Sequence, residues 1–203
     1  MGKRRLVVLV SGNGSNLQAI IDGQQSGKLD AVIAGVVSNN AEAFGLVRAD
    51  QAGIPTQVME HGPAQRSADG RRTYDEELAY VVSCFGADLV VLAGWNRLLT
   101  SSFVSRHTTI NLHPAEPGKF PGLHAIERTF EAWQQGNVSA GGVMVHYVPD
   151  EGVDDGPVIA WESVPIMVDD TLESFECRVH DVEHRLLLEC IVEVLDSLPP
   201  TGA

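Results

Sequence analysis

Asn111 and His113 close an apolar run, Ile110-Asn111-Leu112-His113-Pro114, near the middle of the chain. Residues two apart on a strand share one face, so this amide and imidazole can converge on a single atom. The amide donates hydrogen bonds and the imidazole donates or carries a proton, a combination suited to holding an oxyanion. Histidine has a reference pKa of about 6.5, so a carboxylate must stand nearby if the imidazole is to keep a proton. Asp154 is the candidate, in the run Asp154-Asp155-Gly156-Pro157. Spacing alone does not choose among it and Asp150, Glu151 and Asp155. The chemistry such a trio suggests is acyl-type transfer.

A second site lies near the N-terminus, where Ser11-Gly12-Asn13-Gly14-Ser15-Asn16 separates an apolar strand from a helical pattern. In an open parallel sheet ligands bind at the carboxyl ends of strands, and a helix start there offers free N–H groups to an anion. A dinucleotide fingerprint needs a third glycine where Leu17 stands, and no Gly-Lys-Ser/Thr follows, so a monophosphate fits better. Arg97, after Leu89–Gly94 and Trp95-Asn96, sits at another strand end, where a flat ligand could lie. Arg71 and Arg72 suit either a solvated helix start or an arm reaching for phosphate. His180-Asp181-Val182-Glu183-His184 matches the order of one zinc-peptidase class. It falls in a C-terminal helix whose apolar stripe includes Val179 and Val182, with little chain left for a third ligand. The polar flank of a helix is the better reading.

The elements that must position these residues alternate. Continuously apolar runs at Arg5–Val10, Ala31–Val37, Thr56–Met59 and Leu89–Leu92 predict strands buried on both faces, and so a mostly parallel sheet with helices on both sides. Helices are expected from near Ser15 (with a capping-box spacing to Gln18) to Gly27, over Phe44–Ala52 and over Arg72–Phe85. A stiff loop holding Pro114, Pro117, Gly118, Pro121 and Gly122 precedes a helix from about Ala125 to Gln135. Val143–Val148 and Pro157–Val164 predict a strand hairpin. A last helix after Asp170, capped by an Asp170–Glu173 spacing, carries the stripe Leu172, Phe175, Val179, Val182, Leu186, Cys190 and Val194, and Leu198-Pro199-Pro200 ends it. His61–Gly70 is polar and short of anchors, a candidate for mobility.

The 203 residues suit one domain, and 44% apolar content is ample for a core. A net charge of −13 repels nucleic acid and anionic lipid, so any anionic ligand must be held by a local pocket. No apolar run is long enough to span a bilayer or serve as a signal peptide. The three cysteines lack metal spacing; Cys177 and Cys190 read as apolar fillers of the last helix, and a reducing cytoplasm fits.

Taken together the segments at 8–20, 38–39, 43–46, 90–99, 110–114, 120–125, 145–148 and 154–159 resemble the phosphoribosylglycinamide formyltransferase family, the folate-dependent transferases of purine synthesis. The resemblance runs from about Leu6 to Leu195 and implies one open, mostly parallel α/β domain over 1–203. Residues to about 100 would bind phosphate, and those from about 101 would bind folate and carry catalysis. It implies that Gly14, Ser15 and Asn16, helped by Arg71, hold the substrate phosphate and that Glu183 binds the ribose hydroxyls. Arg97, Leu98 and Leu99, with the loop from Val148 through Asp150 to Asp154, would line the folate pocket. Asn111, His113 and Asp154 would catalyse transfer from 10-formyltetrahydrofolate to glycinamide ribonucleotide without a metal. No nucleic acid or membrane partner is implied, and the chain would act as a monomer or homodimer. The same trio would also suit 10-formyltetrahydrofolate hydrolysis or formylation of methionyl-tRNA, while a noncatalytic phosphate-binding module would need only the Gly12–Asn16 turn. Three departures border the site: Ala115-Glu116-Pro117-Gly118 where relatives usually read Ser-Leu-Leu-Pro, Met144 where a small hydroxyl residue is common, and Gly141 where some relatives have histidine.

Overall fold

Three of the apolar runs become the middle of a twisted sheet, whereas the run at Thr56–Met59, expected to be buried on both faces, forms an exposed edge strand with a neighbour on one side only. The computed structural model describes residues 2–199. Its strands are β1 (Arg4–Val10), β2 (Ala31–Ser38), β3 (Thr56–Val58), β4 (Leu89–Leu92), β5 (Thr109–His113), β6 (Ala140–Tyr147) and β7 (Val158–Pro165). They lie in the order β3-β2-β1-β4-β5-β6-β7. Pairing is parallel from β3 through β5 and antiparallel for β5–β6 and β6–β7. The chain reverses on either side of β1, which makes the carboxyl ends of β1 and β4 the crevice where open sheets bind ligands.

The helices are α1 (Ser15–Gln25), α2 (Phe44–Gln51), α3 (Ala68–Cys84), α4 (Ser101–Val104), α5 (Ala125–Gln134) and α6 (Leu172–Ser197). Strand β1 shows why both faces need cover. Leu6, Val8 and Val10 enter one buried cluster with residues of α1 and α6, whereas Val7 and Leu9 enter another with Tyr74, Leu78 and Val82 of α3. That alternation gives the continuous apolar run a partner on each side. Among the described residues no helix is long and apolar enough to cross a membrane.

Local chemistry moved several boundaries. Gly14, not Ser15, precedes the first turn of α1, at φ 75° and with no side-chain cap. A Cβ on Gly14 would lie 2.7 Å from the Gly45 Cα, so the turn needs glycine and Ser15 becomes the first helical residue. At α6 the cap is Thr171, which accepts from the Ser174 N–H, one residue later than the Asp170 spacing suggested. Asp170 is taken by Arg178 and by the Met167 N–H instead. The stripe of α6 is buried apart from half-buried Val182 and exposed Leu172, and Cys177 is exposed rather than packed. Pro200 lies outside the described residues. Short α4 was not foreseen, and α3 starts earlier than expected because Ser67 caps it through the Gly70 N–H. A 3-10 turn at Pro63–Arg66 and the start of α3 thus occupy much of the 61–70 segment.

The departures fit their surroundings. A Cβ at Gly141 would approach the Phe175 ring to 2.5 Å, so this core has no room for histidine there. Met144 is 1% exposed and pairs in register with His113. In the altered loop Ala115 is buried, and Glu116 pairs with Lys119 at 2.5 Å.

Candidate active site

Asn111 and His113 emerge from β5 on one face, as the two-residue spacing requires, and Asp154 reaches both. Asn111 Nδ2 donates to Asp154 Oδ1 at 3.0 Å, and His113 Nδ1 lies 3.3 Å from Asp154 Oδ2. The Gly122 N–H also donates to Asp154 Oδ2, at 2.7 Å. Of the four acids in the 150–155 run, the fold selects Asp154. Asp150 is exposed and accepts from the Gly152 N–H, while Glu151 accepts from the Ser101 N–H.

His113 is 4% exposed, and acceptors face both its nitrogens: Asp154 at Nδ1 and the Phe120 carbonyl, 3.1 Å from Nε2. Burial holds the His113 pKa below the ordinary histidine value, against the upward pull of Asp154 and of the Lys119 and Phe120 main chain. Burial likewise opposes the charge on Asp154. The Gly122 N–H and the neighbouring imidazoles overcome it, leaving the carboxyl below the usual aspartate range. Such a site keeps a carboxylate ready and a histidine that takes up a proton when negative charge develops beside it.

A further member is His146, which lies in the 145–148 segment and whose spacing in the sequence points to no role. Antiparallel pairing puts His146 of β6 directly opposite Asn111. Its Nδ1 faces the Tyr147 carbonyl at 2.8 Å, and a carbonyl can only accept, which places the ring proton there. Nε2 lies 3.2 Å from Asn111 Nδ2 and 3.6 Å from Asp154 Oδ1, accepting from the amide when the ring is neutral and facing the carboxylate as a donor when it is protonated. His146 and Asp154 together orient the Asn111 amide.

All three non-glycine residues with left-handed backbone among the described residues flank this network: Phe120 (φ 48°), His124 (φ 60°) and Asp154 (φ 53°). Such conformations cost on the order of 1–3 kcal/mol each and persist where neighbouring contacts hold them.

The trio opens into a cavity of about 500 Å³ that Asn16 and Glu183 also line. Glu183 of α6 is 4% exposed, accepting from His180 Nδ1 at 2.7 Å and from Asn16 Nδ2 at 3.5 Å. That pairing raises the His180 pKa. The His-x-x-Glu-His order therefore builds a carboxylate in a cavity wall. Among the described residues no group of three or more His, Cys, Asp or Glu side chains is placed to hold a metal.

The uncapped first turn of α1 presents Ser15 and Asn16 at the carboxyl end of β1, with positive helix dipole. Arg48 braces this turn, donating to the Asn13 carbonyl at 2.9 Å and to Asn13 Oδ1 at 3.0 Å. Arg97, Leu98, Leu99 and Val148 line the same cavity. The Arg97 guanidinium is tucked 4.2 Å over the Tyr74 ring and 3.8 Å from fully buried Asp75. Its Nε and Nη2 are buried without hydrogen-bond partners. Arg71 and Asp150 are not in the cavity wall.

The chain is similar to known proteins along nearly its whole length. The formyl transferase family model matches residues 4–191. The chain is 44% identical over 204 residues to the phosphoribosylglycinamide formyltransferase of Schizosaccharomyces pombe, covering 94% of this chain and 96% of that one. It is 42% identical to the Escherichia coli enzyme of the same name, covering 89% of this chain and 82% of the other. The crystal structure of glycinamide ribonucleotide transformylase 1 from Symbiobacterium toebii superposes with a TM-score of 0.84 at 37% identity, over 98% of this chain and 92% of that one.

Proposed function

The chain belongs to the phosphoribosylglycinamide formyltransferase family, and we infer that Asn111, His113 and Asp154 carry its reaction. That reaction moves the formyl group of 10-formyltetrahydrofolate to the amine of glycinamide ribonucleotide in purine synthesis. The observation that carries the assignment is Asp154, whose two oxygens join Asn111 and His113 at the mouth of one cavity.

The ribonucleotide phosphate binds at the first turn of α1, through Gly14, Ser15 and Asn16, and Glu183 accepts from the ribose hydroxyls. Asn16, bonded to Glu183, ties the two subsites together. The pterin lies against Leu98, Leu99 and the Val148–Asp154 loop. Arg97, in the cavity wall, is assigned to an anionic group of the ligands, while Arg71 lies outside that wall and is given no contact. The residues to about 100 supply the phosphate subsite and the rest supply folate binding and catalysis, on one sheet and as one domain.

The amine attacks the formyl carbon, a C–N bond forms and the carbonyl oxygen becomes an oxyanion. The oxyanion takes the Asn111 Nδ2 hydrogen otherwise given to His146, and His113, its ring nitrogens held by Asp154 and the Phe120 carbonyl, stabilises it by charge as an imidazolium paired with Asp154. The former amine gives up a proton, the folate N10 takes one, and the C–N10 bond breaks to leave the formylated ribonucleotide and tetrahydrofolate. Losing one donor to such an oxyanion costs about 3–4 kcal/mol in barrier.

The test is formyl release from 10-formyltetrahydrofolate, followed spectroscopically with and without glycinamide ribonucleotide. Ribonucleotide-dependent turnover that His113→Ala abolishes supports the assignment. Equal turnover without the ribonucleotide identifies a hydrolase. Folate binding with no turnover leaves a binding module and refutes the mechanism.

A further inference from the structure

Left-handed backbone at Phe120 and Asp154 requires something to hold the loops that carry them. Arg128 of α5 is placed to do so. Its Nη2 donates to the Phe120 carbonyl and, at 2.7 Å, to the Pro121 carbonyl, and its guanidinium lies 5.9 Å from the Phe120 ring centroid. The ion pairs of the described residues do not include Arg128, so its charge faces main-chain carbonyls. The Phe120 carbonyl is the acceptor for His113 Nε2, and Gly122, two residues on, anchors Asp154. Arg128, Phe120, His113, Asp154 and Gly122 therefore form one closed ring of contacts.

We propose that Arg128 is a positioning residue for formyl transfer, fixing through the 120–122 loop both the acceptor of the His113 Nε2–H and the donor that anchors Asp154. The proposal rests on the reading that His113 and Asp154 are catalytic. A guanidinium suits the task because it stays charged and its planar donors can serve two adjacent carbonyls at once. A solely structural Arg128 would hold α5 to the loop and affect stability without reaching the imidazole.

The groups facing His113 make the effect readable. Asp154 faces Nδ1, His146 of β6 lies near Asp154, and Arg128 stands beyond the Phe120 carbonyl. Glu116 and Lys119, on the loop that follows β5, are paired with each other. The Phe120 carbonyl favours the protonated ring. With Arg128 removed the carbonyl can turn away, and the loss of a contact at 3.1 Å outweighs the removal of a cation on its far side.

The experiment uses the full chain as wild type, Arg128→Gln and Arg128→Lys. It measures kcat and KM for each substrate, and titrates the His113 ring by NMR in protein labelled at histidine. Arg128→Gln should lower kcat about tenfold or more, since small misplacement of a catalytic group is expensive. KM for glycinamide ribonucleotide should stay within about twofold, and His113 should titrate at lower pH. Arg128→Lys should recover most of both losses. An unmoved His113 titration in Arg128→Gln overturns the proposal, as does an upward shift, which would make Arg128 only a nearby cation. A fall in thermal stability with unchanged kcat overturns it too. The His113 titration needs no turnover, so it can fail while the wild-type transfer assay succeeds, and the reverse also holds.

Discussion

Asp154→Asn separates the charge of this carboxylate from its shape. Asparagine tolerates left-handed backbone, so φ 53° at this position is no obstacle, and the side chain keeps its size. The charge beside His113 disappears. One oxygen must also become an NH₂ group, which cannot accept from Asn111, from His113 or from the Gly122 N–H. Unit charges about 4 Å apart near a protein surface interact by about 4 kcal/mol. Nδ1 of His113 and Oδ2 of Asp154 are 3.3 Å apart, and Asp154 is only partly exposed, so this magnitude applies with little loss to solvent. If that stabilisation acts on the imidazolium beside the oxyanion, kcat falls by about 10³-fold, at about 1.4 kcal/mol per factor of ten. The ribonucleotide KM should hardly move, because the groups proposed to bind that substrate, Asn16 and Glu183, pair with each other and not with Asp154. The assay is the spectroscopic formyl transfer rate over a range of ribonucleotide concentrations, with a thermal melt to show that the variant is folded. A loss below about tenfold in kcat, or one confined to KM, would refute the role given to Asp154.

Other perturbations test separate parts of the site. Glu183→Gln should raise KM for glycinamide ribonucleotide with little change in the folate KM, and should lower the His180 titration measured by NMR, since its Nδ1 loses a carboxylate partner at 2.7 Å. Gly141→Ala should destabilise by about 1–3 kcal/mol in urea unfolding, as overpacking does, because its Cβ would meet the Phe175 ring at 2.5 Å. Stability should fall on acidification. His113 titrates lower in the folded chain, so the unfolded state binds more protons below pH of about 6.5, and stability is lost as pH falls from there through the folded value. Asp154 adds to this from its unfolded value downward, because its folded pKa is also depressed. A double variant His113→Ala, Asp154→Asn should show a flatter stability–pH curve below neutrality. His180 acts oppositely: its stabilising pair with Glu183 is complete below its unfolded value and lost as pH rises through its raised folded value.

Much of the sheet was legible because its strands are apolar without alternation, and only burial on both faces accounts for that. The pair Asn111 and His113 was legible for the same geometric reason, since a strand's period of two fixes which side chains share a face. Several things required the folded chain. Asp154 could not be told from Asp150, Glu151 and Asp155, because the choice depends on a left-handed turn that points one carboxylate at β5. His146 was unassigned because its place opposite Asn111 depends on the antiparallel register of β5 and β6, whose connection passes through a loop and all of α5. The cap of α1 fell on Gly14 instead of Ser15 because Gly45, from another element, leaves no space for a Cβ. Arg128 gave no signal at all, since its partners are main-chain carbonyls, which every sequence has. The residues by themselves determined which elements form and which chemistry is at hand, because periodicity and side-chain type are local properties. Tertiary structure alone decided which acid and which imidazole meet Asn111 and His113 and which cation holds the loop behind them, because those choices depend on register, turn handedness and contacts between elements distant in the chain.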